Sequence, residues 1–200
     1  MANPTNTYAD IRFAPPLPQA KKALVAHTMP GKYAKMVMSF REPWWRKIGL
    51  VGKFTSLKGP ICFSWDTSDP GSEQYSLAFF IAGQVAQDWH ELSSLAQEVA
   101  VLKHLAQLVG PEHAHLTQDV IEINIMEWTK ESFIGGAPTC SMGPRQLSQY
   151  GVELRKPFND VHFAGGETAF EWKGYLEGAI SAGYRAAEEV TSMLQPAAKI

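Results

Sequence analysis

Alternating and continuous apolar stretches of the chain predict several β-strands. Residues Tyr33–Phe40 alternate between two faces, with Lys35 inside an otherwise apolar run, which predicts a strand. Residues Tyr75–Ala82 are continuously apolar, as is typical of a buried central strand. Residues 120–128 alternate apolar and polar side chains and predict a half-buried strand. Shorter strands are predicted over residues 50–56, 61–65 and 162–166.

Helical periodicity is clearest over residues 89–109. Asp88 and Glu91 suit an N-cap and its capping-box partner, and Gly110 followed by Pro111 predicts the end of the helix. The spacings of three and four between apolar residues predict one amphipathic face. That face comprises Trp89, Leu92, Ala96, Val99, Leu102, Leu105 and Val109.

The order of these elements indicates an α+β fold with a mixed sheet, one long amphipathic helix and a C-terminal helix. A short helix is predicted over residues 19–26, and the last helix from near Gly174 to about residue 194. The prolines near the amino terminus predict an extended segment, because proline fixes φ. We therefore expect one compact domain built from an extended leading segment (1–18), an α+β region (19–160) and a strand–turn–helix segment (161–200).

Composition and charge exclude several classes of protein. The 200 residues carry 18 basic and 20 acidic side chains, a formal charge of -2, which gives no electrostatic reason to expect a nucleic-acid partner. Two cysteines cannot form a disulfide scaffold. The sequence has no apolar stretch long enough to span a membrane, and its polar start does not resemble a signal peptide. We therefore expect a cytoplasmic protein without a membrane partner. We expect no metal site, because the pair His113 and His115 lacks a carboxylate or cysteine at a suitable spacing to complete one.

Residues 161–187 combine glycines with the start of a helix, a pattern found in turns that bind a ligand. A predicted strand ends at Gly165 and Gly166, and a helix opens near Gly174. Glycines let backbone approach a partner closely, and a helix amino terminus favours an anion such as phosphate. Gly178 and Gly183 add a surface of small residues. This pattern fits a ligand-binding turn and, equally, an ordinary glycine-tolerant helix packed on a sheet.

Four blocks of sequence resemble the carboxyl-terminal half of the flavin-containing amine oxidase family, which includes monoamine and polyamine oxidases. The resemblance extends over roughly residues 10–195. The last block is the most specific. The first block is Tyr33-Ala34-Lys35 with Arg41-Glu42-Pro43-Trp44-Trp45-Arg46, the second is Trp128 with Gly135-Gly136, and the third is Gln149-Tyr150-Gly151 with Leu154-Arg155 and Pro157. The last block comprises Phe163-Ala164-Gly165, Glu167-Thr168, Trp172, Gly174-Tyr175, Glu177-Gly178-Ala179, Ala182-Gly183 and Arg185-Ala186-Ala187.

The resemblance implies roles for individual residues. Lys35 matches a lysine that holds a water near the flavin and supports hydride transfer and reoxidation. Tyr175 matches one wall of an aromatic cage that aligns the amine. Glu167 matches a glutamate of the same segment. The cofactor-side positions implied are Trp128 beside the flavin ring and Gly165, Gly166, Thr168 and Leu176 near the ribityl and pyrophosphate groups.

The sequence also departs from the family pattern. Monoamine oxidases place a flavin-linked cysteine and a cage tyrosine where this chain has Ala137 and Pro138, so a covalent flavin link is not expected there. Gly166 replaces a commoner threonine or serine. The sequence contains no GxGxxG turn for the ADP half of FAD. FAD is therefore expected if a partner supplies the dinucleotide-binding half, and otherwise no cofactor is expected.

Three functions remain open at this point. The chain could be the substrate-side and flavin-covering part of an amine oxidase, completed by a separate FAD-binding chain. It could instead be a flavin-independent isomerase or cyclase that binds an apolar small molecule in the old substrate cavity and uses Lys35, Glu167, Glu171 or Tyr175 as acid, base or hydrogen-bond donor. It could also be a noncatalytic binding module that dimerises. An apolar or amine small molecule and a homo-oligomer or a second chain are the expected partners.

Overall fold

The computed structural model describes residues 5–194, which divide into two compact units. The sheet unit comprises residues 32–129, and the terminal unit comprises residues 5–31 and 130–194. The outer ends of the predicted segments 1–18 and 161–200 lie outside the described residues. The helices are α1 (Gln19–Ala26), α2 (Trp44–Lys47), α3 (Gly83–His90), α4 (Ser94–Val109), α5 (Gln146–Tyr150) and α6 (Leu176–Leu194), and the strands are β1 (Thr28–Pro30), β2 (Tyr33–Phe40), β3 (Phe63–Asp66), β4 (Tyr75–Ala82), β5 (Val120–Glu127) and β6 (Cys140–Met142).

The sheet unit is built on a four-stranded antiparallel sheet with the strand order β3-β4-β2-β5. The bounds of β2 and β4 are the predicted ones, and both strands lie in the centre of the sheet. Alternation along β2 buries Ala34, Met36, Met38 and Phe40 and leaves Lys35 half-buried on the opposite face. The α+β class is confirmed.

The core of the sheet unit lies on one face of this sheet. Met36, Met38, Phe79 and Leu105 belong to it and are fully buried. Trp45 of α2 is also buried in this core, and its indole Nε1 donates a hydrogen bond of 2.8 Å to Asp66 Oδ2. A buried indole N–H needs such an acceptor, so this bond fixes α2 against the end of β3.

The prediction of one helix over residues 89–109 is wrong. The chain forms α3 and α4 instead, because Ser93 caps α4 with its side-chain oxygen, which accepts from the N–H of Ala96. The buried face of α4 also differs from the predicted apolar face, since it includes Gln97 and His104. Gln97 donates to the carbonyl of Trp89, and His104 Nδ1 accepts from the N–H of Ile61 at 3.1 Å. Hydrogen bonding makes both polar side chains compatible with burial.

Residues 50–56 do not form the predicted strand. Only Thr55 pairs there, in a single bridge to Phe63. Gly52 has φ of +73° and packs beside Trp45 and Leu77, so the backbone turns where a strand would have to be extended. The second predicted strand, 61–65, is observed as β3, beginning two residues later.

The terminal unit contains the two-stranded pair β1–β6 together with α1, α5 and α6. Residues Thr5–Asp10 form a 3-10 helix rather than an extended segment, and Tyr8 packs against the ring of Phe163. Helix α1 has the predicted bounds, whereas α6 begins two residues after Gly174. Buried contacts of Thr5 and Tyr8 therefore override the extended conformation that the prolines favour.

The described residues contain neither a membrane-spanning helix nor a cluster of metal ligands. Within residues 5–194, no helix has the length and apolar character needed to cross a membrane. The same part of the chain holds no group of three or more His, Cys, Asp or Glu side chains placed to bind a metal ion.

Candidate functional site

A cleft of about 280 Å³ in the terminal unit brings together five of the predicted site residues. It lies where the turn after Phe163 meets the amino-terminal end of α6. The predicted residues that line it are Gly165, Gly166, Glu167, Tyr175 and Leu176. The other lining residues are Pro138, Thr139, Ala164, Gly174 and Ala179.

Two glycines shape the backbone wall of this cleft. Gly165 has φ of +101° and precedes the 3-10 turn Gly166–Thr168, so a side chain at this position would be strained. Gly174 has φ of +83°, and a Cβ atom there would lie 2.7 Å from Thr139 Cγ2. Gly166 differs, because its Cβ would meet only ordinary contacts, the nearest 3.4 Å from the amide nitrogen of Gly174. The absent side chain at Gly166 therefore leaves space in the cleft.

The predicted strand over residues 162–166 is not formed. In a strand, the backbone carbonyl groups would accept hydrogen bonds from a neighbouring strand. Here the carbonyl groups of Phe163, Thr168 and Ala169 accept hydrogen bonds from arginine side chains. Arg185 Nη2 donates to the carbonyl of Phe163 at 2.5 Å, and Arg155 donates to the carbonyls of Thr168 and Ala169 at 2.7 and 2.9 Å. The sequence marked both arginines only as members of the family motif. The structure shows that they order the turn that carries the cleft.

Thr168 is buried behind the cleft wall rather than in the cleft. Its hydroxyl donates to the carbonyl of Gly165 at 2.9 Å and accepts from Arg185 at 3.2 Å. The side chain is 1% exposed. These contacts support a role of Thr168 in holding the glycine turn, and its predicted contact with the cofactor stays a prediction.

Glu167 joins three parts of the terminal unit through its carboxylate. Oε2 accepts from the N–H of Thr5 at 2.8 Å and from the Thr5 hydroxyl, and Oε1 accepts from the N–H of Cys140 at 2.6 Å. Burial alone raises the pKa of a carboxyl group, but the bonds from Thr5 and Cys140 outweigh it and hold the pKa of Glu167 below its usual value. The arrangement fits an ionised group that orders the turn, and the predicted acid or base role is untested.

Replacing Glu167 by glutamine should lower the free energy of unfolding by about 1–3 kcal/mol, because the amide keeps one acceptor oxygen and places a donor against one of the two backbone N–H groups that the carboxylate binds. Since the folded carboxylate has a lowered pKa, its stabilisation is present above its ordinary pKa and is lost as pH falls through the lowered value. The stability difference between wild type and Glu167→Gln should thus shrink in acid. Chemical unfolding at several pH values measures it, with Glu171→Gln as the exposed control. Equal effects of the two substitutions would contradict this assignment.

Tyr175 and Trp172 form an exposed aromatic pair beside the cleft. Their ring centroids are 6.0 Å apart and the rings meet edge to face. Tyr175 is 67% exposed and directly precedes α6, whose first N–H groups have no acceptor within the helix. Glu171 is exposed and lies in a neighbouring cleft that Trp172 also lines. The structure therefore brings Tyr175, but not Glu171, to the glycine turn.

Cys140 is unsuited to a flavin link in this structure. It is buried, and its thiol donates to Asn6 Oδ1 at 2.9 Å. Burial and the nearby Glu167 carboxylate raise the pKa of the thiol to about 12. The thiol is therefore protonated at neutral pH, and a thiolate is the form that reacts.

The other predicted residues belong to the sheet unit. Lys35 lies in the middle of β2, paired with Phe80 on one side and Met126 on the other. Its Nζ is 5.5 Å from the centre of the Phe80 ring, which stacks on Phe63 with 4.5 Å between centroids. Trp128 is half-buried and directly follows β5. Lys35 is thus held on a half-buried aromatic face of the sheet, opposite the core.

Known proteins resemble this chain along nearly its full length. A family model described as flavin containing amine oxidoreductase matches residues 1–191. The chain is 32% identical over 186 residues to amine oxidase B of Cavia porcellus, covering 92% of this chain and 35% of that protein. It is also 32% identical over 194 residues to a probable monoamine oxidase A of Dictyostelium discoideum, covering 97% of this chain and 42% of that protein.

Solved structures of amine oxidases share the fold. Cyclohexylamine oxidase from Brevibacterium oxydans matches with a TM-score of 0.88 and 29% identity, over 98% of this chain and 43% of that one. Putrescine oxidase with bound putrescine matches with a TM-score of 0.86 and 26% identity, over 96% of this chain and 42% of that one. The chain therefore spans less than half the length of these relatives. On this match, it belongs to the flavin-containing amine oxidoreductase family.

Proposed function

We propose that this chain forms the amine-facing and flavin-covering part of a flavin-dependent amine oxidase. The cleft in the terminal unit carries the proposal, because it joins a glycine turn, an aromatic side chain and the start of a long helix. The named relatives are amine oxidases, and they include an oxidase whose structure holds putrescine. Among these relatives none is an isomerase or cyclase, so that alternative has no support from them.

The residues around the cleft fit the flavin side of FAD, with its ribityl chain and a phosphate. Gly165 and Gly166 offer backbone without side chains, and the N–H groups at the start of α6 suit a phosphate. Leu176 would supply an apolar contact for the ribityl chain, and Tyr175 would supply an aromatic wall that faces the flavin ring. Bound flavin would supply a hydride acceptor for a C–H bond beside an amine. The ADP half would be held by residues outside this sequence or by a partner chain.

Two residues of the chain are proposed to act on the amine and on the flavin. Lys35 would hold a water molecule near the reacting atoms through its N–H donors, which lie on the half-buried aromatic face of the sheet. Tyr175 would align the amine with its exposed ring face, as aromatic rings attract cations. Trp128 would pack beside the flavin ring. Because Ala137 and Pro138 offer no nucleophile and Cys140 is a protonated buried thiol, the flavin would be held without a covalent bond.

Flavin binding and amine oxidation together test the proposal. The chain should be combined with the dinucleotide-binding part of a relative such as cyclohexylamine oxidase, loaded with FAD and mixed anaerobically with a panel of primary amines. We expect at least one amine to bleach the visible flavin absorbance and oxygen to restore it. The same mixture without this chain should not be bleached. If the loaded assembly binds FAD but no amine bleaches it, the oxidase function is wrong.

A further inference from the structure

The side chain of Lys21 is a cation buried inside the terminal unit. Lys21 lies on α1 and is 1% exposed. Its Nζ donates a hydrogen bond to the carbonyl of Glu153 and lies 4.0 Å from the centre of the Phe163 ring. Among residues 5–194 no carboxylate forms an ion pair with this ammonium. Lysine is rarely buried without such a partner, so a role other than ion pairing is expected of this charge.

The charge of Lys21 destabilises the folded chain. Burial lowers the pKa of its amine from 10.5 to about 8, with Lys156 acting in the same direction and the carboxylate of Glu153 in the opposite one. The unfolded chain therefore binds more protons between those two pH values, so the free energy of unfolding should rise with pH over that range. Below about pH 8 the cost of the buried charge is fully present. The role of this charge therefore lies elsewhere than in global stability.

Phe163 connects this cation to the cleft in the terminal unit. The ring of Phe163 is fully buried and also packs against Tyr8, with 5.4 Å between ring centroids. The carbonyl of Phe163 accepts from Arg185, and residues 164–166, which follow directly, line the cleft. A cation is attracted to the electron-rich face of an aromatic ring, more strongly when both are removed from water. The ammonium of Lys21 therefore holds the ring from which the glycine turn starts.

We propose that Lys21 is a positioning residue for the cleft: its ammonium fixes the Phe163 ring and, through it, the glycine turn, so that flavin binds more tightly when Lys21 is charged. This inference rests on the proposed function, because it takes flavin as the ligand of the cleft. Lys21 does not line the cleft and acts only through Phe163. A neutral amine can still donate to the Glu153 carbonyl but has lost its attraction to the ring. We therefore expect the turn to loosen as pH rises through about 8.

Other titratable groups near the Phe163 ring have to be separated from Lys21. Burial raises the pKa of the Cys140 thiol to about 12 and that of Tyr8 further, whereas hydrogen bonds lower the pKa of Glu167 and Glu189. His162, which bonds Glu189, precedes Phe163 in the chain. Replacing Lys21 by methionine leaves all these groups in place. A response to pH that disappears in this variant therefore belongs to Lys21.

NMR of the full chain without flavin tests the positioning role by itself. The carbonyl carbon-13 shifts of residues 163–168, followed from about pH 6.5 to about pH 10.5, should change with a midpoint near pH 8 in the wild type. Lys21→Met should lose this change. Lys22→Met replaces an exposed lysine of the same helix and should keep it. A wild type without the change, or a change that Lys21→Met retains, overturns the proposal.

Flavin affinity and stability together separate positioning from a purely structural role. In the FAD-loaded assembly at pH 7, Lys21→Met should weaken FAD binding about tenfold, whereas Lys22→Met should leave it unchanged. Between about pH 8 and 10.5 the wild-type FAD affinity should fall towards that of Lys21→Met, while the stability of the wild-type chain relative to this variant should rise. Fluorescence titration and chemical unfolding measure the two quantities. If affinity and stability change in the same direction, Lys21 is an ordinary structural residue.

Failure of this inference is distinguishable from failure of the oxidase function. An assembly that binds FAD but is not bleached by any amine contradicts the oxidase function and leaves the dependence of the glycine turn on Lys21 intact. An assembly that amines bleach, with carbonyl shifts and FAD affinity that do not respond to Lys21→Met, contradicts the role of Lys21 and leaves the oxidase function intact.

Discussion

Replacing Gly178 by alanine should lower the free energy of unfolding by about 3 kcal/mol. A Cβ atom at Gly178 would lie 2.2 Å from the carbonyl oxygen of Trp172 and 3.0 Å from Ala169 Cβ. The first clash is with backbone, which cannot rotate away as a flexible side chain can. The first turn of α6 would have to move from the 169–172 stretch. The cleft that Tyr175 and Leu176 line would then change shape.

Gly183 provides a control in the same helix. A Cβ atom there would have no neighbour within 4 Å, so Gly183→Ala should raise the free energy of unfolding by about 1 kcal/mol, because alanine is the better helix former. Chemical unfolding followed by circular dichroism compares the two variants. A Gly178→Ala variant that is as stable as Gly183→Ala would show that Gly178 is not a packing position. The opposite signs expected here follow from the backbone contact alone.

Replacing Lys35 by methionine should slow anaerobic flavin reduction in the FAD-loaded assembly by about 10²-fold or more. Methionine keeps the length and apolar stem of lysine but has neither its charge nor its hydrogen-bond donors. Lys35 lies between Phe80 and Met126 on the sheet, so its stem packs in a place that methionine fills. The protein should fold normally and bind FAD as before, with reoxidation by oxygen slowed as well.

Lys32→Met is the control for Lys35. Lys32 is exposed before β2 and donates a hydrogen bond to Gln87. Stopped-flow absorbance measures flavin reduction and reoxidation separately for the two variants. If Lys35→Met reduces and reoxidises flavin at the wild-type rates, the lysine is not the group that acts on the reaction. Loss of FAD binding in Lys35→Met, with Lys32→Met normal, would likewise assign it a structural role.

Sequence patterns predicted the elements whose formation depends on local periodicity. The strands β2 and β4 and the helix α1 have the predicted bounds. Alternation along β2 also placed Lys35 on the face opposite the core, because a strand exposes successive side chains on opposite sides. The family motif identified the glycine turn and Tyr175, which the structure brings to one cleft. In each case the information lies within a few residues of chain.

The amino-acid sequence by itself determined the α+β class, the central strands and membership of an amine oxidase family. Other features depend on side chains that are distant in the sequence. Tertiary structure decided that Ser93 splits the long helix, and that Gln97 and His104 rather than Val99 face the core, because buried hydrogen-bond partners outweigh apolar periodicity. Tertiary structure also decided that Glu167 binds Thr5, which is 162 positions away in the sequence, and Cys140, which is 27 positions away. Such contacts follow from folding and leave no periodic signal in the sequence.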